Sequence, residues 1–258
     1  MLRDEALPLS IPGDHRGVLL IHGFTGSPFE MKFLAEELGK RGFSVEVPVL
    51  AGHERGDPAE LAQARWKDWY ATVDRELRAL KRRCEHVAVV GLSLGGLLAL
   101  HLARRNQDQI SALGAISVPL WLGRPIEVAV PILAQLSRLA PPLAHVPKFH
   151  SDVRDRIMRE RNPTMNVPLP AVDQLIQFMR LVRATVDLVR VPAFVAHGKK
   201  DHTASFACSE ELVSRLGSSV VEYLVLPRSY HVATIDVERD LLAKRLGRFL
   251  TERISPCQ

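Results

Sequence analysis

Little in this 258-residue chain points to a metal, a redox centre or export. Its three cysteines, Cys84, Cys208 and Cys257, stand far apart and make no metal-ligand or redox spacing. Cys84 falls on an apolar face and is expected in the core, while Cys257 lies in the tail. The opening residues, Met1 to Glu5, carry no apolar leader core, so no secretory signal is expected and a cytoplasmic location follows. No internal repeat or low-complexity linker interrupts the chain. The net charge is only +5, and basic residues such as Arg78, Lys81, Arg82 and Arg83 are strewn along helical faces. That pattern is a solvated surface rather than a nucleic-acid stripe, so no nucleic-acid partner is expected. The apolar run over 128–143 is broken by Pro131, Arg138, Pro141 and Pro142, which argues against an integral membrane segment.

What is present is more specific. Gly91-Leu92-Ser93-Leu94-Gly95 reads G-x-S-x-G. Residues 86–90 run into it as a short β-branched strand, and 96–103 run out of it as a helix without a breaker. A strand, a tight turn bearing serine and a helix make a nucleophile elbow. Glycine is needed on both sides because the turn is strained and a Cβ would crowd the neighbouring strand and helix. Ser93 would then stand at a helix N-terminus, where the dipole favours developing negative charge.

A serine is a weak nucleophile without a base. The strand expected over 191–196 leads to Asp201, and the strand over 220–226 leads to His231 just before the last helix. The chain order Ser93, Asp201, His231 is that of α/β-hydrolases. His202 is a rival base, but a residue adjacent to the acid can rarely take its hydrogen bond on Nδ1 and still aim Nε2 at a serine. Asp173 and Asp187 are rival acids, both in a helical pattern where an acid usually faces solvent. For the oxyanion, acyl transfer needs two convergent N–H groups. Leu94, directly after the nucleophile, should supply one. Phe24, in the loop His22-Gly23-Phe24-Thr25-Gly26 after the strand over 17–21, should supply the other. His22 is expected to organise this loop rather than to carry a proton.

With these segments in place the chain resembles the bacterial carboxylesterase and monoacylglycerol-lipase group of α/β-hydrolases. The resemblance rests on residues 22–27, Gly52-His53, Asp68-Trp69, residues 91–96, His197-Gly198 with Asp201, and residues 231–236, and it spans about 16–252. It implies Ser93 as nucleophile, Asp201 as acid, His231 as base, and Phe24 and Leu94 as oxyanion donors. Glu54 after His53, and His202 to Ser205 after the acid, depart from the group's pattern without touching the triad.

Apolar strands alternating with amphipathic helices argue an α/β architecture, a mostly parallel central sheet with helices on both faces. The clearest helix is expected over 66–83, with others over 28–40 and 236–253. Between the strands over 110–117 and from 191, residues 118–190 are far too long for a crossover. They are expected to form an inserted, mainly helical cap over the site, with 1–117 and 191–258 as the core. Its apolar residues Ile132, Leu136, Leu175, Ile176 and Met179 are candidate substrate-binding walls, within an apolar run that extends to Leu143.

The expected chemistry is two-step acyl transfer to Ser93, needing neither cofactor nor metal, on small-molecule carboxylic esters of short-to-medium acyl chains or monoacylglycerols. A thioester, an N-terminal peptide bond or a carbon–carbon bond stays open as the scissile bond. A peptidase would need an acidic anchor for the substrate amine, and Glu127 and Asp152 stay open for that role. A low-turnover ligand receptor and a scaffold without a small-molecule role also stay open. The sequence does not fix an oligomeric state.

Overall fold

A computed structural model describes residues 7–137, 145–146, 151–162 and 166–254. Seven strands form one sheet: β1 (Leu9–Ile11), β2 (Arg16–Ile21), β3 (Ser44–Val47), β4 (His86–Leu92), β5 (Ala112–Ile116), β8 (Ala193–Gly198) and β9 (Val221–Leu226). Their order across the sheet is β1-β3-β2-β4-β5-β8-β9. Only the β1–β3 pair is antiparallel.

The central strands β2, β4, β5 and β8 are mostly apolar and buried because both of their faces are covered. In β4, Val87 and Val89 join one core, while Ala88, Val90 and Leu92 join the other. Strands β2, β5 and β8 divide the same way, as a side-chain period of two requires. One face is covered by α1 (Phe29–Gly39) and α9 (Arg239–Arg253). The other is covered by α3 (Trp66–Lys81), α4 (Leu94–Arg105) and α8 (Ala207–Arg215), with α2 (Pro58–Gln63) at its margin. Trp69, Val73, Leu77 and Leu80 form the buried stripe of α3, and the periodicity that predicts this helix is borne out within two residues at its end.

Direction reverses between β2 and β4. From β2 the chain winds outward to β3, and from β4 it winds the other way through β5. The crevice at the carboxyl ends of strands flanking such a reversal is the place where ligands sit in open α/β sheets. The loop of residues 22–26 leaves β2 there, and Ser93 leaves β4 there.

Between β5 and β8 lie α5 (Arg124–Leu136), the short pair β6 (His145–Val146) and β7 (Val167–Pro168), α6 (Arg156–Arg161) and α7 (Leu169–Arg183). Helix α7 packs against α2, α3 and α4, and α5 packs on α7. Leu175, Ile176, Met179 and Val182 make the buried stripe of α7. Helix α5 buries Val130 and Ala134 and leaves Val128, Ile132 and Leu136 about half exposed. Arg138 and residues 139–143 of the sequence-expected apolar wall lie outside the described residues. Among the described residues no helix is long and apolar enough to cross a membrane.

Candidate active site

Ser93 is the pivot between β4 and α4. Its backbone sits at φ 54°, ψ −115°, a strained region for a residue with a side chain. The flanking glycines make the turn possible by absence of bulk. A Cβ on Gly91 would stand 2.0 Å from the Gly95 carbonyl oxygen, and one on Gly95 would stand 2.1 Å from the Ile21 carbonyl oxygen. The helix therefore starts directly against the ends of β2 and β4, and Ser93 is held at its N-terminus.

His231 reaches Ser93 from the loop after β9. Its Nε2 lies 2.9 Å from Ser93 Oγ, and its Nδ1 lies 2.7 Å from Asp201 Oδ2. A carboxylate only accepts, so Nδ1 carries the proton and Nε2 is left to accept from the serine. Asp201 is fully saturated. Thr203 and Ala204 donate their N–H groups to Oδ1 at 2.8 and 2.7 Å. Oδ2 faces both His231 Nδ1 and His197 Nε2, the latter at 2.9 Å. Burial pushes the Asp201 carboxyl up, but the His231 charge and the hydrogen bonds from the two imidazoles outweigh it and hold the group well below the usual carboxylate range.

The rivals are elsewhere. His202 stacks edge-on with Tyr230, and its Nδ1 bonds Asp152 Oδ1 at 2.8 Å. Asp173 accepts from Gln177 on α7, and Asp187 stands 4.0 Å from Arg215 on an exposed turn.

Three peptide planes of the 22–26 loop are each fixed by one side chain. Glu30 Oε2 accepts the Gly23 N–H at 3.0 Å. His22 Nδ1 donates to the Gly23 carbonyl at 2.9 Å, and His53 Nε2 accepts the Thr25 N–H at 3.1 Å. The Phe24 N–H shares its plane with the Gly23 carbonyl and points the opposite way from it. Among the described residues, neither the Phe24 nor the Leu94 N–H has an acceptor. Both histidines must be neutral for this to work. Leu50 donates its N–H to His22 Nε2 at 3.1 Å, so a second ring proton would face a donor. Burial pushes the His22 pKa down to about 3 and that of His53 to about 4. His22 therefore organises the loop. His53, quoted in the sequence only as part of a motif, does the same work from the other side.

A cavity of about 70 Å³ adjoins Ser93 and His231. Phe24 and Val232 line it from the core, and Pro119, Leu122 and Leu175 from residues 118–190. Of the candidate wall residues, only Leu175 is in this lining. Ile176 and Met179 are fully buried in the core of α7, and Ile132 and Leu136 are 57% and 49% exposed, outside the lining. The difference has a simple origin: α5 is apolar nearly all round, and Val130 and Ala134 take its inner side.

Sequence reasoning did not single out Glu30, Asn162, the second imidazole at His197, or the role of Asp236. Asp236 is wholly buried, and its carboxylate accepts the N–H groups of Arg154, Asp155, Tyr230 and Val237. It ties the His231 loop to the strand of chain entering α6. A buried carboxylate can only be read from its partners, and two of those, Arg154 and Asp155, lie about 80 residues away.

Comparison with known proteins agrees with this geometry. A family model described as serine aminopeptidase, S33, matches residues 14–238. A thermostable monoacylglycerol lipase from Bacillus sp. (strain H-257) is 29% identical over 242 residues, covering 92% of this chain and 90% of that protein. A carboxylesterase from Bacillus subtilis (strain 168) is 27% identical over 244 residues, covering 94% and 95%. A solved structure from work on LipS and LipT, two metagenome-derived lipolytic enzymes, is 32% identical with a TM-score of 0.89, covering 98% of this chain and all of that one. The fold is shared as well with a Paleococcus ferrophilus monoacylglycerol lipase, at a TM-score of 0.78 and 17% identity over 95% of this chain and 98% of that one.

Proposed function

Because the chain belongs to the serine aminopeptidase S33 family of α/β-hydrolases, and to its esterase and monoacylglycerol-lipase group, we propose that it hydrolyses carboxylic esters through an acyl-enzyme on Ser93. One observation carries the reading: the continuous line Asp201–His231–Ser93, at 2.7 and 2.9 Å, ends at a serine beside the N–H groups of Phe24 and Leu94, which have no acceptor among the described residues.

His231 Nε2 takes the Ser93 proton as Oγ attacks the ester carbonyl. Asp201 holds the imidazole tautomer and stabilises the imidazolium. The N–H groups of Phe24 and Leu94 receive the negative oxygen of the tetrahedral intermediate. The imidazolium returns its proton to the leaving alcohol, and the acyl group stays on Ser93. Water then repeats the sequence, with His231 as base, and releases the acid.

Residues 118–190 act as a cap in this reading, because Pro119, Leu122, Ser151, Asn162 and Leu175 close the cavity from above. An apolar lining favours an acyl chain and excludes water. A volume of about 70 Å³ is that of roughly two waters in the liquid. The cavity therefore takes a short acyl group directly, and medium chains or monoacylglycerols require the cap to shift.

The family description names a peptidase, and the curated relatives are ester hydrolases. Ester chemistry is favoured by the acids of residues 118–190. Glu127 accepts the Leu122 N–H, and Asp152 is engaged by His202 and Thr203. Neither lines the cavity, where a substrate ammonium would need a counter-charge, and the one acid that does among the described residues, Glu30, already accepts from the Gly23 N–H and Asn162 Nδ2. A panel of acyl esters, matched thioesters and aminoacyl amides tests this. Turnover of esters well above that of free-amino amides is expected. Preference for the amides, or stoichiometric binding without turnover, would overturn it.

A further inference from the structure

Glu30 is the one acidic side chain in the lining of the cavity beside Ser93 among the described residues. It lies in the first turn of α1 and is 5% exposed. A carboxylate so placed must be held by donors. Oε2 takes the Gly23 N–H at 3.0 Å, and Oε1 takes Asn162 Nδ2 at 3.1 Å. Asn162 also donates to Ser151 Oγ at 3.0 Å. Asn162 and Ser151 belong to the 118–190 segment, and Asn162 is 132 positions from Glu30 in the chain.

The loop is folded around this carboxylate. A Cβ on Gly26 would stand 2.1 Å from Glu30 Oε2, and one on Gly23 3.2 Å from it. The Gly23 N–H fixes the plane immediately before the one that carries the Phe24 N–H. We infer that Glu30 is a positioning residue for the oxyanion site, and that its bond to Asn162 makes the seating of the cap set the aim of the Phe24 N–H. The inference rests on the proposed reading of Phe24 as an oxyanion donor. It assigns Glu30 a role in transition-state binding without contact to the reacting atoms, and it gives the cap a way to act on the chemistry other than by excluding water. A cap lifted off the core would take Asn162 with it, and the loop's central carboxylate would lose a donor that the cap supplies.

The test uses the full chain and p-nitrophenyl butyrate, with an alkyl trifluoromethyl ketone as the probe of oxyanion binding. Glu30→Ala should lower kcat by about tenfold to a hundredfold, short of the roughly 10²–10³ for outright loss of an oxyanion donor. KM should change less than kcat, and affinity for the ketone should weaken by about the same factor as kcat/KM. Glu30→Gln keeps an oxygen for the Gly23 N–H and should recover most of both. Asn162→Ala should show a smaller loss in the same two readouts. In the double variant the losses should fall short of their product, as for coupled neighbours. If Glu30→Ala does not fold, Asn162→Ala and Glu30→Gln carry the test. Wild-type kcat and ketone affinity in Asn162→Ala, or in Glu30→Ala, would overturn the inference while an inactive Ser93→Ala left the triad standing. An active Ser93→Ala would remove the reading beneath it.

Discussion

His197 and His231 meet at the same oxygen of Asp201, His197 through Nε2 at 2.9 Å and His231 through Nδ1 at 2.7 Å. His197 Nε2 also faces the Ala204 carbonyl at 3.2 Å. Both of its neighbours accept, so this nitrogen carries a proton. Asp201 thus has a donor from the strand β8 as well as the His231 imidazole. The pair explains why a wholly buried carboxylate stays ionised, since each donor offsets part of the cost of taking the charge out of water.

That arrangement separates two substitutions. Asp201→Asn removes the acceptor that fixes the His231 tautomer, and kcat should fall by about 10⁴. His197→Phe leaves the triad intact but takes one donor from Oδ2, and kcat should fall by roughly tenfold, with KM nearly unchanged. Steady-state kinetics on one short ester check both. A His197→Phe loss as large as that of Asp201→Asn would make His197 part of the proton path.

Acid should weaken the fold through buried histidines. His101 is enclosed by the rings of Trp66, Tyr70 and Phe178, and its Nδ1 has no partner among the described residues. Burial, with Arg104 and Arg105 nearby, pushes its pKa down to about 4. The folded state keeps this ring neutral, while the unfolded chain takes up a proton below about 6.5. Stability is therefore full above 6.5 and falls as pH drops from there toward 4, by a few kcal/mol at most for this group. His22 and His53 act in the same direction, their windows closing near 3 and 4. Urea unfolding at pH 7 and pH 4.5 should show the loss, and His101→Phe should show less of it. Equal stability at the two pH values would contradict these assignments.

Helix α5 shows where the sequence was legible and where it was not. A helix there, and its place in an insertion between two strands, follow from the sequence. Its inner side does not, because Ile126, Val128, Ile132, Leu133 and Leu136 are as apolar as Val130 and Ala134. Helix α7 has a single stripe, and its buried side was readable for that reason. The same contrast runs through the site. Ser93, Asp201 and His231 each follow a strand in a known chain order, so local pattern alone places them near one another. Glu30, His197 and Asp236 carry no such mark. Their meaning comes from backbone N–H groups and imidazoles brought to them by folding.

The acyl preference should follow the lining that the fold provides. Each methylene buried contributes about 0.8 kcal/mol, so kcat/KM should rise about fourfold per carbon until the cavity is full. Leu175 borders that space, and Leu175→Ala should move the optimum to longer chains. Ile132→Ser and Leu136→Ser, on the half-exposed side of α5, should scale all esters alike. Hydrolysis rates from acetate to decanoate check this. A profile altered by Ile132→Ser and untouched by Leu175→Ala would place the acyl chain along α5 instead.

The most direct measurement is the identity of the labelled residue. A fluorophosphonate applied to the intact protein, followed by peptide mass spectrometry, should give one adduct per chain, on Ser93, with loss of ester hydrolysis in step with labelling. Ser93→Ala should take no label and retain only the roughly 10³–10⁴-fold advantage over water that oxyanion and substrate binding supply. Labelling at another serine, or full hydrolysis by Ser93→Ala, would contradict the account.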